Sequence, residues 1–366
     1  MRWTVAWVCL LALVPSVAAQ QPASTVVAWN ALLRQQSAWY GGPEAIRIAD
    51  NLLLYQRGTG GWPKNLDMTG VLTPGDRARL TVEKSQTNST IDNGATTTEI
   101  QALARVYAAT NLARFRDGAL VGLDFVLRAQ YANGGWPQEF PLRENYTRHI
   151  TFNDNAIARV LTLLGEVVDG RAPYEFVDGE RRTRARAATA RGLDVILKTQ
   201  IRVGGLLSVW CAQHDAVTLA PALARTYELP SFSGSESVGV VRYLMSLPDP
   251  SPAVVAAVDG AVEWLREHAL RGIRVERRAD PSAPRGFDLV VVDDPAAPLL
   301  WARFYDLETA RPIFVGRDGI KWPTLSEIEV ERRTGYSYLG AYATSLLDEE
   351  YPTWRKALPG PRLRVP

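Results

Sequence analysis

The sequence predicts a mainly all-α fold, in which helical hairpins form an α/α toroid or partial (α/α) barrel with long irregular loops and a few short strands. Three observations predict it. Apolar residues recur every three or four positions through much of the chain, one motif occurs three times, and strand-like alternation is scarce. The best strand candidate is "FDLVVVD" at 287–293. Because loops held by a rigid helical ring commonly carry function, we expect a site among them.

The repeated motif has an apolar helical end, a Gln, three further residues, Gly-Gly and then a bulky residue. Its glycine pairs are 74 and then 70 residues apart, which indicates a repeated unit of about two helices. We expect the glycines at helix C-termini, where the chain enters positive φ. A weaker fourth copy is "AVEWLREHALRG" at 261–272. The three copies are "LLLYQRGTGGWPKNLD" (52–67), "FVLRAQYANGGWPQEFP" (125–141) and "VILKTQIRVGGLLSVWC" (195–211).

Helical spacing of apolar residues extends over seven stretches. The tail from Leu299 differs, because it mixes aromatic residues, Arg, Gly and Pro without a long periodic helix until about Tyr338. We expect it to form ordered irregular structure packed over the helices. A separate tail domain is the alternative, although no flexible linker isolates one. The predicted helical stretches are 45–55, 98–107, 120–129, 157–168, 185–198, 238–245 and 254–268.

The N-terminus has the pattern of a secretory signal peptide: a basic Arg2, an apolar run over 5–14 and a small-residue exit. We expect cleavage after Ala19, which leaves residues 20–366 as one domain that is secreted or periplasmic. Cleavage removes Cys9 and leaves Cys211 as the one cysteine, so no disulfide can form within the mature chain. No later apolar stretch reaches the length of a membrane span.

The charge balance excludes some partners. The chain has 41 Lys and Arg against 39 Asp and Glu, and so weak a net field does not favour nucleic acid. A polyanionic ligand would need locally placed cations. Common catalytic signatures, including the serine elbow, the zinc-protease helix and the phosphate-binding loop, do not occur in the sequence. We expect a monomer.

Two acidic turns precede predicted helices in successive repeats: "DNGAT" with Asp92 and "FNDNA" with Asp154. Either turn can simply cap its helix, Thr96 or Thr97 in the first case and Asn153 or Asp154 in the second. Their positions in successive repeats, however, predict that both carboxylates lie on one rim of the ring. Two carboxylates with neighbouring amide oxygens suit a hard cation such as Ca²⁺, which takes six to eight oxygen ligands.

Three arginines lie in aromatic or glycine-rich segments that suit carboxylate recognition: Arg225, Arg303 and Arg317. The simpler interpretation gives each an acidic neighbour in the sequence, namely Glu228, Asp306 and Asp318. The remaining polar candidates, His214, Asp215 and Cys211, are expected to be structural.

Taken together, six segments closely resemble the catalytic module of polysaccharide lyase family 10, the pectate lyases, over about residues 28–350. The resemblance implies an α/α toroid that cleaves polygalacturonate by calcium-dependent β-elimination, giving 4,5-unsaturated products. The segments are "GGWPKN", "DNGATTTEIQALARVY", "GGWPQEFP", "YTRHITFNDNAIARVL", "VWCAQHDAVTLAPALARTYELPSFSGSESVG" and "WARFYDLETARPIFVGRDG".

The resemblance also assigns roles to residues of this chain. Arg225 matches the catalytic base, and Asp92 and Asp154 match the acidic residues at the calcium and substrate centre, Asp92 counting among the catalytic residues too. Arg303 and Arg317 match arginines that hold substrate carboxylates. The alternative is a non-catalytic, calcium-dependent protein that binds acidic polysaccharide. Further substrate contacts are expected from Lys64, Asn93 and Asn153.

Overall fold

The computed structural model describes residues 27–358, and the predicted signal peptide with its cleavage site lies outside them. All seven predicted helices are present in this range. A further helix, α2, was not predicted because its sequence is polar and buries one residue, Leu80. Its capping box of Thr73 and Asp76 is the signal that could have found it. The α-helices are α1 Pro43–Tyr55, α2 Pro74–Glu83, α3 Thr97–Thr110, α4 Ala113–Ala129, α5 Ala156–Asp169, α6 Gly179–Thr199, α7 Gly234–Met245, α8 Pro252–Glu267, α9 Val330–Gly335 and α10 Tyr351–Ala357.

The strands of the described range are mostly two residues long and pair antiparallel in twos. The predicted strand at 287–293 is confirmed as β7, which pairs over its whole length with β6. The partner was not predicted because "IRVERRA" lacks a clean apolar alternation. The other pairs are β1–β4, β2–β3, β5–β9, β8–β12 and β10–β11. The strands are β1 Ile150–Thr151, β2 Arg202–Val203, β3 Leu206–Leu207, β4 Gln213–His214, β5 Phe232–Ser233, β6 Ile273–Ala279, β7 Phe287–Asp293, β8 Trp301–Ala302, β9 Phe304–Tyr305, β10 Phe314–Val315, β11 Lys321–Trp322 and β12 Leu339–Gly340.

The Gln of each repeat links successive helices of the ring. Its side-chain amide donates to a backbone carbonyl in the corresponding helix of the next repeat, so that α1 is tied to α4, α4 to α6 and α6 to α8. These buried or partly buried hydrogen bonds replace the water that the amide and the carbonyl lose on folding. The bonds run from Gln56 to Gly118 (3.0 Å), from Gln130 to Ala188 (2.9 Å) and from Gln200 to Ala257 (2.8 Å).

A buried Trp closes each repeat against its own helix through an indole N–H that donates to a helix carbonyl. The third repeat differs: Leu206, which follows Gly-Gly, is 76% exposed on a small hairpin, and Trp210 takes the buried position instead. The fourth, weaker copy is confirmed by the same bond from Trp301 to α8. The bonds are Trp62 to Leu52 (2.7 Å), Trp136 to Val126 (2.9 Å), Trp210 to Ile196 (2.7 Å) and Trp301 to Leu265 (2.7 Å).

The first glycine of each pair has the predicted positive φ, although it lies in the turn after each helix rather than at the helix's last residue. Gly60 has φ 103° and Gly134 has φ 99°. At Gly134 a Cβ atom would lie 2.1 Å from the carbonyl oxygen of Arg191, so a larger residue is excluded by space as well as by conformation.

Helices α3, α5 and α7 pack side by side and begin at the end of the ring where the repeat loops lie. The tail is ordered, as predicted, and pairs with the segment before α7 through β5–β9, whereas β8–β12 joins two parts of the tail itself. Its own apolar side chains, including Phe304, Phe314 and Tyr338, form a second core cluster. Within residues 27–358 no helix is both long and apolar enough to span a bilayer.

Candidate active site

Two tight turns place the acidic residues at the starts of α3 and α5. The turns are Asp92–Gly94 and Asn153–Asn155, and each has a left-handed middle residue: Asn93 has φ 52° and Asp154 has φ 48°. The turns are therefore equivalent, but the register differs by one residue from the prediction, because Asp92 corresponds to Asn153 rather than to Asp154. Non-glycine residues held at positive φ are uncommon and are concentrated at functional sites.

Neither turn caps its helix through a side chain. Thr96 instead accepts a hydrogen bond from the backbone N–H of Trp62 (3.0 Å) and donates to the carbonyl of Thr90 (2.7 Å). The capping alternative is therefore wrong for both turns. The polar side chains of the two turns are therefore free to form hydrogen bonds with each other.

Asp92 is 3% exposed and accepts hydrogen bonds at both carboxylate oxygens. Oδ2 accepts from the Lys64 ammonium and from the Gln138 amide (2.8 Å), and Oδ1 accepts from the Asn153 amide (3.2 Å). The same Asn153 nitrogen donates to Asp154 Oδ2 at 2.9 Å. The structure thus brings the two predicted carboxylates together, one amide group apart.

Arg303 completes this arrangement from the tail. Its Nη2 atom lies 3.2 Å from Asn153 Oδ1 and 3.3 Å from Asp154 Oδ1, and it also donates to the carboxylate of Glu236. Glu236 is 2% exposed and lies in the first turn of α7. The predicted local partner, Asp306, pairs with Lys321 instead (2.6 Å).

The repeat explains why these donors converge. Lys64, Gln138 and Arg303 each stand two residues after a repeat Trp, at 62, 136 and 301. The first two bond Asp92 and the third bonds Asp154. We call this group the acid centre: Asp92, Asn153 and Asp154 with the donors Lys64, Gln138 and Arg303.

The charges of the acid centre depend on one another. Burial raises the pKa of Asp154, the charges of Glu236 and Asp92 act in the same direction, and Arg303 opposes them. Burial disfavours the charge of Arg303, but Glu236 and Asp154 outweigh it and raise the pKa of the guanidinium. Glu236 was missed by sequence reasoning, because a Glu in "GSES" has no motif that marks it as the partner of a distant Arg.

Arg225 lies across the cleft, in the loop that precedes β5. Its Nε donates to Glu228 Oε2 at 2.6 Å and its Nη2 donates to Oε1, so the predicted ion pair with Glu228 is confirmed as a two-pronged one. Glu228 is buried, and Oε1 also accepts from the hydroxyl of Tyr336 (2.8 Å). Burial opposes the charge of Arg225, but Glu228 outweighs it and the pKa of Arg225 is raised.

The predicted residues fall into two groups. A polar cleft is lined by six of them, and Arg303 donates hydrogen bonds to two residues that line it, Asn153 and Asp154. Arg317 does not line this cleft: it is 59% exposed and pairs with Glu331 (2.9 Å) instead of the predicted Asp318. A larger and more open groove along α1 and α2 holds none of the predicted residues. The cleft is lined by Lys64, Asn65, Asp92, Asn93, Gln138, Tyr146, Asn153, Asp154, Gln213, Arg225 and Glu228.

The three residues expected to be structural are confirmed as such. His214 is fully buried and accepts from the backbone N–H of Cys211 (3.1 Å), and burial lowers its pKa to about 4. Cys211 is 1% exposed. Asp215 accepts from the backbone N–H groups of Val217 (3.0 Å) and Thr218 (2.8 Å) and so fixes a turn.

The donor set of the acid centre fits a calcium ion only in part. Asp92 and Asp154 offer carboxylate oxygens, the ligands that Ca²⁺ prefers. Across the described residues no three or more His, Cys, Asp and Glu side chains are grouped so that they could hold a metal ion. Since Ca²⁺ takes six to eight oxygens, the centre fits a cation that also binds oxygens of a ligand and of water.

Comparison with known proteins decides the family. The model of the pectic acid lyase family matches residues 56–347, which is most of the chain. The chain belongs to this family. A comparison with curated proteins gives no significant match.

Solved structures of a family 10 polysaccharide lyase from Cellvibrio cellulosa are similar to this lyase. One is an Asp-to-Ala variant in complex with trigalacturonic acid, 38% identical over 88% of this chain and 95% of that chain, with a TM-score of 0.75. The other is 37% identical over 88% and 94%, with a TM-score of 0.74. The predicted family, the toroid-like fold and the assignment as a lyase that acts on polysaccharides are confirmed.

Proposed function

We propose that this lyase cleaves α-1,4-polygalacturonate by calcium-dependent β-elimination and releases 4,5-unsaturated oligogalacturonides. The observation that carries the proposal is the polar cleft that places Arg225 opposite the acid centre. The family match and the trigalacturonic acid bound to a similar enzyme support a uronate as the ligand. We further propose that residues 20–366 act as one exported catalytic domain.

Calcium would be held by Asp92 and Asp154. When bound, it supplies positive charge that stabilises the uronate carboxylate and the enolate-like charge that develops beside it. Without a cation, Lys64 and Arg303 donate hydrogen bonds to these two carboxylates. Once a cation neutralises the acids, the same N–H groups can donate to the substrate instead. Asn153 bonds both acids and keeps them in register.

The substrate carboxylates would be bound by cations around the cleft. Arg303 is held rigidly by the buried Glu236, which suits two-pronged recognition of a carboxylate. Arg317 lies outside the cleft, so we propose that it contacts a sugar unit farther along the chain. Asn93 lies at the surface and donates to Asn65 (2.7 Å), and it would contact the same polymer.

Arg225 would remove the proton from C5, the carbon beside the carboxyl group. The C–H electrons form the C4–C5 double bond, the bond from C4 to the glycosidic oxygen breaks, and the departing oxygen takes up a proton. A base must lie within hydrogen-bond reach of the proton that it abstracts. Because arginine is normally protonated below a pKa of ~12, and Glu228 stabilises its charge, we expect an alkaline optimum.

A substitution at Arg225 separates an enzyme from a binding protein. We expect Arg225→Ala to lower kcat by roughly 10²–10⁴-fold, the usual contribution of a positioned base, while polygalacturonate is still retained. The measurement is the ultraviolet absorbance of the unsaturated product, with a polygalacturonate pull-down of the same variant. If wild type is retained on polymer but gives no absorbance at alkaline pH, the non-catalytic alternative replaces the proposal.

A further inference from the structure

A cluster of arginines surrounds two tyrosine rings beside the cleft. Tyr227 and Tyr336 meet edge to face, with ring centres 5.7 Å apart. Arg225 has its guanidinium carbon 4.8 Å from the centre of Tyr227 and 5.9 Å from that of Tyr336. Arg332 lies over the same two rings, at 4.4 and 4.9 Å. We call Arg225, Tyr227, Glu228, Arg332 and Tyr336 the arginine–tyrosine cluster.

Arg332 differs from the other arginines near these rings because it forms no ion pair with a carboxylate of the described residues. Arg225, Arg303 and Arg317 each pair with a glutamate. Arg332 is 6% exposed, its Nε has no hydrogen-bond partner, and within the described residues it forms no ion pair. The acids closest to it in sequence form no ion pair with it: Glu329 accepts from the backbone N–H of Arg317 (3.1 Å), and the exposed Glu331 pairs with the side chain of Arg317.

An unmatched buried charge acts over a distance, because little water screens it. Arg225 and Arg332 lie over the same two rings, and their guanidinium carbons are 4.8 and 4.4 Å from one common point, the centre of Tyr227. The two carbons are therefore separated by at most the sum of these two distances. A like charge in this range disfavours a second charge nearby. Arg332 therefore acts on Arg225 in the sense opposite to Glu228.

We propose that Arg332 is a positioning residue for the lyase reaction, whose unmatched positive charge favours the neutral form of Arg225 that accepts the proton. The inference rests on the proposed role of Arg225 as the base. Glu228 fixes the orientation of Arg225 but also stabilises its charge, and Arg332 offsets the second effect. The site thereby keeps an oriented arginine that can still lose its proton at alkaline pH.

The other groups around the two arginines do not supply this effect. Burial raises the pKa of Tyr336 and of Tyr338, so both stay neutral and do not compensate Arg332 at alkaline pH. Burial likewise raises the pKa of Tyr146, which faces Arg225 from the cleft. Arg285 lies near Arg332 at Gly335 but is exposed. Two further cations near the cluster are paired with acids: Arg303, 4.6 Å from the centre of Tyr336, with Glu236 and Asp154, and Lys64 with Asp92. The remaining charged or titratable neighbours are Glu228, Tyr146, Tyr227, Tyr336, Tyr338, Arg285, Arg317, Glu329 and Glu331.

The test is the pH dependence of kcat/KM on polygalacturonate at saturating calcium. Arg332→Met keeps an apolar stem over the rings and removes the charge, so the pH of half-maximal kcat/KM should rise by about one unit. Arg332→Lys keeps the charge and should stay close to wild type, even if kcat falls. Arg285→Met removes an exposed charge nearby and should leave the profile unchanged.

A profile of Arg332→Met that coincides with wild type overturns the proposal, and so does an equal shift in Arg332→Met and Arg332→Lys, because a packing role would affect both alike. If Arg332→Met does not fold, Arg332→Gln is read by the same criterion. Arg225→Ala, measured in parallel, tests separately whether Arg225 is the base. If Arg225→Ala retains turnover, Arg225 is not the base. If Arg225→Ala loses turnover but the pH profile of Arg332→Met matches wild type, only the proposed role of Arg332 is wrong.

Discussion

The acid centre and the arginine–tyrosine cluster face each other across the cleft but have different origins. The acid centre is built from repeat positions: two equivalent turns at the starts of α3 and α5, and three donors that each follow a repeat Trp by two residues. The cluster comes from the loop before β5 and from the segment around α9, outside the repeat. The repeated fold thus supplies the place for a cation, and the non-repeated segments supply the base.

The largest loss of activity should come from removing the two carboxylates of the acid centre, which the repeat positions supply. We expect the double variant Asp92→Asn and Asp154→Asn to lower kcat/KM by at least about 10³-fold, because charge stabilisation by a bound cation contributes several kcal/mol to such reactions. Asp117→Asn, an exposed carboxylate on α4, is the control. The measurement is initial rate against calcium concentration, and full activity of the double variant at low calcium would remove both residues as ligands.

The next effect compares two ion pairs of the proposed substrate arginines. Glu236→Ala leaves Arg303 with a buried, poorly compensated charge and should lower the free energy of unfolding by about 3–5 kcal/mol. Glu331→Ala breaks the exposed pair with Arg317 and should cost less than about 1 kcal/mol. Urea unfolding measures both, and equal losses would show that Arg303 is not anchored by Glu236.

Sequence reasoning found the parts of the site that the repeat determines. The spacing of apolar residues predicted the seven helices, and the repeat predicted that Asp92 and Asp154 would lie close together. It misplaced their register, because spacing alone does not show which residue of "FNDNA" turns into positive φ. It also missed Gln138, although its place two residues after Trp136 matches that of Lys64.

Contacts made by the tail were beyond prediction from local spacing. The sequence offered Asp306 and Asp318 as neighbours of Arg303 and Arg317, and the folded chain gives both arginines other partners. Arg225 is the exception, because its partner Glu228 is three residues away in the same loop. Distant pairs such as Arg303 with Glu236 depend on how the tail packs on the ring.

A further effect concerns the pH dependence of stability and the helix that follows the turn of Asp92. Glu99 in the first turn of α3 is 1% exposed, one carboxylate oxygen has no partner, and burial raises its pKa to about 8. The folded state therefore holds this proton more tightly than the unfolded state, and stability should fall as pH rises from about 4.5 to 8.

Glu99→Gln removes that titration. We expect the variant to gain stability relative to wild type by up to about 4 kcal/mol on going from pH 5 to pH 9. Glu180→Gln, an exposed residue in the first turn of α6, should show no such gain. Thermal unfolding at the two pH values is sufficient, and a constant difference between wild type and Glu99→Gln would contradict the assignment.

The proposed pairing of a repeat-built cation site with a non-repeated base is tested most directly by the products from polygalacturonate. Unsaturated uronide absorbance and reducing ends should be followed together at alkaline pH, with calcium and with EDTA. We predict that both rise in parallel with calcium and that neither rises with EDTA. Reducing ends without absorbance would indicate hydrolysis, and undiminished absorbance in EDTA would contradict the calcium requirement.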